Sequence, residues 1–168
     1  RDYMARVLQQ AGVSHEDADI AAGVLLAADM RGVSSHGIIR LNSYYGDRLR
    51  KGLIDPLSPV SVVKETPVTL LLSGGNGLGQ VVGHHAMTRA IEKAKQSGVA
   101  MVTVRNSNHY GIAGYYAMMA LEHNMIGISF TNSQPLVAPT YGRTAVLGTN
   151  PIAVAVPAGK ERPYVLDM

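Results

Sequence analysis

The chain has 168 residues, enough for one sizeable domain or part of a larger one, and 46% of them are apolar, ample for a core. Fifteen Lys and Arg against twelve Asp and Glu leave +3, with the cations scattered and no basic stripe interleaved with aromatics, which argues against nucleic acid as a partner. Without cysteine neither a disulfide framework nor a thiolate metal site can form, and no apolar run reaches the about 18 residues of a membrane span, so a cytoplasmic protein with no membrane partner is expected.

In chain order, the first 52 residues read as helices punctuated by glycines. Tyr3, Val7, Leu8 and Ala11 make one apolar face closed by Gly12. Ser14 with Asp17 resembles a capping box that opens a second helix, whose stripe is Ile20, Ala21, Val24, Leu25 and Ala28 and whose end is Gly32. A third helix is expected from about Ser35 to Lys51, carrying His36 in its first turn and Leu41, Tyr44, Tyr45 and Leu49 along it.

Asp55-Pro56 through Pro59 breaks the pattern, and strand formers follow. Val60–Val63 and Val68–Leu72 around Glu65-Thr66-Pro67 suggest a hairpin. After Ser73-Gly-Gly-Asn-Gly-Leu-Gly79 come a helix from Gln80 to Gln96, Gly98, and a strand in which Met101, Val102 and Val104 suit burial. The polar corner Asn106-Ser107-Asn108 turns the chain into a helix marked by Ile112, Tyr115, Tyr116 and Met119 and closed by Asn124. A strand at Met125–Thr131, another through Pro157 and an apolar stretch Tyr164–Met168 complete the pattern. A first residue that is not Met and a last one inside an apolar strand lead us to expect further chain on both sides.

The glycine loop invites a phosphate-binding reading, but a tight turn feeding a helix explains it more simply. Gly75-Asn-Gly77-Leu-Gly79 is one residue short of G-x-G-x-x-G, and no Lys-Ser or Lys-Thr follows. His84 and His85 point about 100° apart on a helix and cannot chelate one ion together, so one is expected to pack and the other to be solvated. His15 and His123 suit helix ends, and no spacing makes a convincing metal site. His36 and His109 stand out because each lies at a loop-to-helix junction, the kind of place where ligands collect. Arg40, four residues after His36, is able to hold a carboxylate by a two-pronged hydrogen bond, while a histidine exchanges a proton near neutral pH. On spacing alone, an ordinary surface pair at His36 and Arg40 and a structural corner at His109 are the simpler readings.

Three stretches carry a resemblance: Ala28-Asp-Met-Arg-Gly-Val-Ser-Ser-His-Gly-Ile-Ile-Arg-Leu41, Val104-Arg-Asn-Ser-Asn-His-Tyr-Gly111 and Leu147-Gly-Thr-Asn-Pro-Ile-Ala153. In order and in register, they resemble the signatures of the malate/L-lactate dehydrogenase family, nicotinamide-dependent oxidoreductases without a Rossmann domain. The resemblance implies an α/β protein with a helical N-terminal region, residues 1–56, and the first part of a mixed-sheet NAD(P)-binding domain, residues 57–168, working as a homodimer.

It further implies hydride transfer between NAD or NADP and a small 2-hydroxy or 2-oxo acid. His109 and His36 would line the site and share candidacy for proton transfer, Arg40 would anchor the substrate carboxylate, and Ser133 would lie near substrate and nicotinamide. Tyr164, Val165, Leu166, Asp167 and Met168 would begin the cofactor-holding segment. Family members are considerably longer, and their second half supplies more cofactor contacts and a lysine near the substrate. Two other readings stay open: a truncated, non-catalytic dimerising module and a reductase of cyclic imine 2-carboxylates.

Overall fold

The computed structural model describes residues 1–168. Two helices, α1 (Asp2–Gln10) and α2 (His15–Met30), open the chain. The Ser14 hydroxyl accepts the Asp17 backbone N–H at 3.1 Å, which caps α2, and Glu16 and Asp17 suit the positive end of its dipole. The buried face of α2 is mostly small: Ala18, Ala21, Ala22 and Ala28, with Val24 and Leu25, are at most 1% exposed. Small side chains let neighbouring helices approach closely, and Leu8, Leu41, Tyr45, Leu49, Ile54, Leu78 and Val81 close the largest apolar cluster around them. The buried face of α1 is Met4, Ala5 and Leu8, whereas Tyr3 is 62% exposed. Leu8 of the expected face is buried, and Val7 and Ala11 pack half-buried against the same cluster, so the expected face holds apart from Tyr3.

The expected third helix is broken. A 3-10 turn at Ser34–His36 ends at Gly37, and only then does a helical segment, 39–50, begin, with a π-helical stretch at Leu41–Gly46 running into α3 (Asp47–Arg50). The physical reason is Asp29. Its carboxylate accepts the Ile38 N–H at 2.8 Å, a bond that competes with helix formation, and it fills the space that a Cβ on residue 37 would need.

β1 (Ser61–Glu65) and β2 (Thr69–Ser73) form the expected hairpin, antiparallel, with an irregularity between Val62 and Lys64. α4 (Gly79–Ser97) then crosses over to β3 (Met101–Arg105), which runs parallel to β2 with Leu70 opposite Val102. Leu70, Leu72 and Ala86 form a small core between this sheet and α4. β3 is an edge strand paired with β2 alone, so Met101 is 57% and Val104 37% exposed where burial was expected.

α5 (Ala113–Met119) and a 3-10 turn (Ala120–His123) end at Asn124, which adopts a left-handed φ of 55°. A second sheet follows, all antiparallel, in the order β4 (Gly127–Phe130), β5 (Ile152–Val156), β6 (Tyr164–Asp167). Ala153 and Ala155 on its inner face meet Ala113 and Ala117 of α5. The architecture is mixed α/β, one sheet mixed and the other antiparallel, and no helix is long and apolar enough to cross a membrane.

Candidate active site

The His109 corner is held by the glycine loop. β3 ends at Arg105, whose carbonyl accepts the Gly74 N–H, and Asn106, with φ 53°, accepts the Asn76 N–H at 2.8 Å. The Asn108 side-chain amide lies within 3.0 Å of the Asn76 backbone and side-chain oxygens and 2.9 Å of the Gly77 carbonyl. At the start of α4, Gly79 packs directly on the backbone carbonyls of Asn108 and His109, leaving no room for a Cβ. Gly79 is thus required by a backbone-on-backbone contact that supports His109, while Gly75 and Gly77 pack against Ser58, and these close contacts account for a glycine-rich loop without a phosphate fingerprint.

The His36 corner is built by Asp29 and by the 3-10 turn. The Ser35 hydroxyl is 2.9 Å from His36 Nδ1, and the Arg40 Nε–H donates to the Ser35 carbonyl at 2.7 Å. Arg40 therefore reaches back around the break rather than standing one helical turn from His36. Its two terminal amino groups make no hydrogen bond within the chain.

The two corners meet. The imidazoles of His36 and His109 stack with centroids 5.3 Å apart and planes 20° inclined. Tyr44 and Tyr45 both approach His109, with centroids at 5.3 and 6.0 Å, although neighbours on an α-helix diverge by about 100°. The wider turn of the π-helical stretch reduces that divergence, a device common at functional sites. The fully buried Tyr45 places its hydroxyl 2.6 Å from His109 Nδ1, and the Gly111 N–H donates to the same nitrogen at 3.3 Å. Arg48 lies over the Tyr44 ring at 4.3 Å and Arg40 at 5.8 Å.

These surroundings disfavour positive charge on the rings. Burial lowers the His109 pKa to about 4, assisted by His36, Arg40 and Arg48. Burial and then Arg40 lower that of His36, and Asp167 opposes them. Burial raises the Tyr45 hydroxyl, so it remains a neutral phenol.

Of the other expected site residues, Asp167 is close enough to influence His36, and its carboxylate accepts the Gly114 N–H of α5 at 3.0 Å. It lies on β6, whose Tyr164 is 59% exposed while Val165 and Leu166 are half-buried, and Met168 just after the strand is 69% exposed. Because Met168 exchanges both backbone bonds with Ile152, the intervening Val165 and Asp167 turn their N–H and C=O groups away from β5. Ser133 bonds instead to the Thr149–Asn150 segment. Its hydroxyl accepts the Thr149 N–H at 2.8 Å and lies 3.0 Å from the Thr149 hydroxyl, and it makes no bond to either histidine.

Sequence reasoning missed the roles of Asp29, Tyr44, Tyr45, Arg48 and Asn108. Tyr44 and Tyr45 read only as helix residues, because nothing in their spacing announces a π turn. Elsewhere the histidine expectations hold: His84 is half-buried with Nδ1 enclosed and unpartnered, and His85 is exposed.

Comparison with known proteins bears on what this arrangement is. The model of the malate/L-lactate dehydrogenase family matches residues 1–168. The chain is 54% identical over 166 residues to a malate dehydrogenase of Pyrococcus horikoshii, covering 99% of this chain and 46% of that protein. It is 49% identical over 162 residues to an L-sulfolactate dehydrogenase of Methanocaldococcus jannaschii (96% and 46%), and 37% identical over 161 residues to a ureidoglycolate dehydrogenase (NAD(+)) of Escherichia coli K12 (96% and 46%). The solved structure of the P. horikoshii OT3 malate dehydrogenase superimposes with a TM-score of 0.95 at 53% identity, over 99% of this chain and 47% of that one. The chain spans about half the length of the curated relatives it matches. It belongs to the malate/L-lactate dehydrogenase family.

Proposed function

We propose that the complete protein is an NAD-dependent dehydrogenase that interconverts a small 2-hydroxy acid and its 2-oxo acid. The observation that carries this reading is the stacked pair His36 and His109 with Arg40 beside it. The printed names of the relatives, malate, sulfolactate and ureidoglycolate dehydrogenases, are all of hydroxy-acid enzymes, and one of them specifies NAD(+). They favour this reading over a non-catalytic module and over an imine reductase. A homodimer and a cytoplasmic location belong to the same reading.

The chemistry follows from the residues. Arg40, anchored by its Nε on the Ser35 carbonyl, presents its terminal amino groups as a fork for the substrate carboxylate. The C2 oxygen then lies against the imidazole pair, whose Nε2 atoms make no bond within the chain. In the oxidation direction the hydroxyl proton passes to a ring nitrogen as the C2–O bond becomes a carbonyl, and reduction returns it. Rings held neutral at cellular pH are ready to receive that proton, and such assistance contributes typically 10²–10⁴-fold in rate.

The residues present fit a nicotinamide. The outward N–H and C=O groups of Val165 and Asp167 complement a carboxamide, and Asp167 lies near His36. Tyr164, Val165, Leu166, Asp167 and Met168, with Ser133, would hold the cofactor, which supplies the hydride acceptor when bound. Assay of the full-length gene product with pyruvate, oxaloacetate and glyoxylate against NADH and NADPH tests the reading. Oxidation of NADH with at least one acid is expected, and no turnover with any acid and either cofactor overturns it.

A further inference from the structure

Neutral imidazole carries one proton, and which nitrogen holds it decides whether the open nitrogen gives or receives a hydrogen bond. At His109 the surroundings make that choice. The Gly111 backbone N–H, which can only donate, points at Nδ1 from 3.3 Å. Tyr45, 0% exposed, has its hydroxyl 2.6 Å from the same nitrogen and reaches no other acceptor. A proton on Nδ1 would face the Gly111 N–H head-on and strand the Tyr45 O–H in the core without an acceptor, an unfavourable state for a buried donor. With the lone pair on Nδ1 both donors are satisfied, and the proton resides on Nε2.

His36 differs on each count. Its Nδ1 meets the Ser35 hydroxyl at 2.9 Å, an exposed group that gives or accepts with equal ease, so either tautomer is satisfied. The Asp167 carboxylate also favours a positive His36 ring, while Arg48 disfavours charge on His109.

We propose that Tyr45 is a positioning residue that locks His109 in the Nε2–H tautomer, making His109 the hydrogen-bond donor to the substrate's C2 oxygen and leaving proton exchange to His36. In oxidation the substrate O–H bond breaks and its proton forms a bond to His36 Nε2, while His109 keeps its own proton and stabilises the charge on the oxygen. The assignment of substrate and oxygen rests on the function proposed above. The tautomer rests on geometry alone.

The test uses the complete protein labelled with 15N-histidine. NMR correlation of the ring nitrogens near neutral pH is expected to show His109 neutral with its proton on Nε2, its signals identified by their loss in His109→Gln. An Nδ1 proton in the wild type overturns the proposal. In Tyr45→Phe, a population of the Nδ1–H tautomer and protonation of His109 at higher pH are expected. Turnover should fall on the order of tenfold with the KM for the acid little changed, as loss of one hydrogen bond predicts. An unchanged tautomer and pH profile in a folded Tyr45→Phe protein overturn it. His109→Gln, whose amide still donates, should retain measurable turnover, whereas His36→Gln, which cannot exchange a proton, should retain none; the reverse order overturns the division of roles. Should the full-length enzyme turn over no 2-oxo acid, the functional reading falls, and the NMR measurement still decides the role of Tyr45.

Discussion

The rings of His36 and His109 stack at 5.3 Å, and two imidazolium ions at that distance would repel each other. The stack therefore belongs to the neutral forms. Each ring has a folded pKa below the ordinary value near 6.5, so the unfolded chain binds protons more readily. Their contribution to stability is then fully present above about pH 6.5 and is lost as pH falls toward about 4, the folded value of His109. Urea unfolding between pH 7.5 and 4.5 should show stability falling through that window. Replacing His109 with Asn should flatten the fall, and an equally steep loss in the variant would assign it to other groups.

A second expectation concerns Gly79. An alanine methyl there would overlap the carbonyls of Asn108 and His109, which are backbone atoms fixed by the Asn108 amide and cannot swing aside. Gly79→Ala should cost about 1–3 kcal/mol by overpacking and should displace the His109 corner from Tyr45. Thermal unfolding and kcat/KM should fall together, and a variant with unchanged activity would show that the corner is not positioned by α4.

For Arg40 the expected signature is kinetic. Arg40→Met removes the carboxylate fork but keeps the stem, so the KM for the 2-oxo acid should rise by about 10- to 100-fold, the equivalent of losing a charged hydrogen bond of about 1.5–3 kcal/mol. Binding of the reduced cofactor, followed by its fluorescence, should be nearly unchanged. An unaltered KM would remove Arg40 as the anchor.

Local pattern made most of the fold legible. Ser14 and Asp17 opened α2 as a capped helix, its alanine-rich stripe was buried, and Asn124 closed the central helical segment in the left-handed conformation. What failed was what depends on distant partners. The break at Gly37 comes from Asp29, eight residues earlier, and the exposure of β3 comes from its edge position. His36, His109 and Arg40 could be named from motifs, and their contact rests on a β3 corner and a π turn that arrive from separate parts of the chain. Tyr45 was hidden for the same reason, since a buried tyrosine at a helical position looks like core until its hydroxyl partner is known.

The break at Gly37 supplies the last expectation. Asp29 holds the His36 turn by one charge-assisted bond to the Ile38 N–H at 2.8 Å, in space left open by the missing Cβ of Gly37. Removing the carboxylate frees residues 37–39 to extend the following helix toward its N-terminus, which would rotate His36 out of the stack and carry Arg40 away from the Ser35 carbonyl. Asp29→Ala should therefore lower stability by only about 1–2 kcal/mol, because the bond is exposed, while lowering kcat/KM far more than that loss explains. Asp29→Asn keeps an acceptor of the same size and should recover most of both. Loss of stability without loss of turnover in Asp29→Ala would mean that the His36 turn holds its shape unaided, and the 3-10 geometry would then be a property of Ser34–His36 itself.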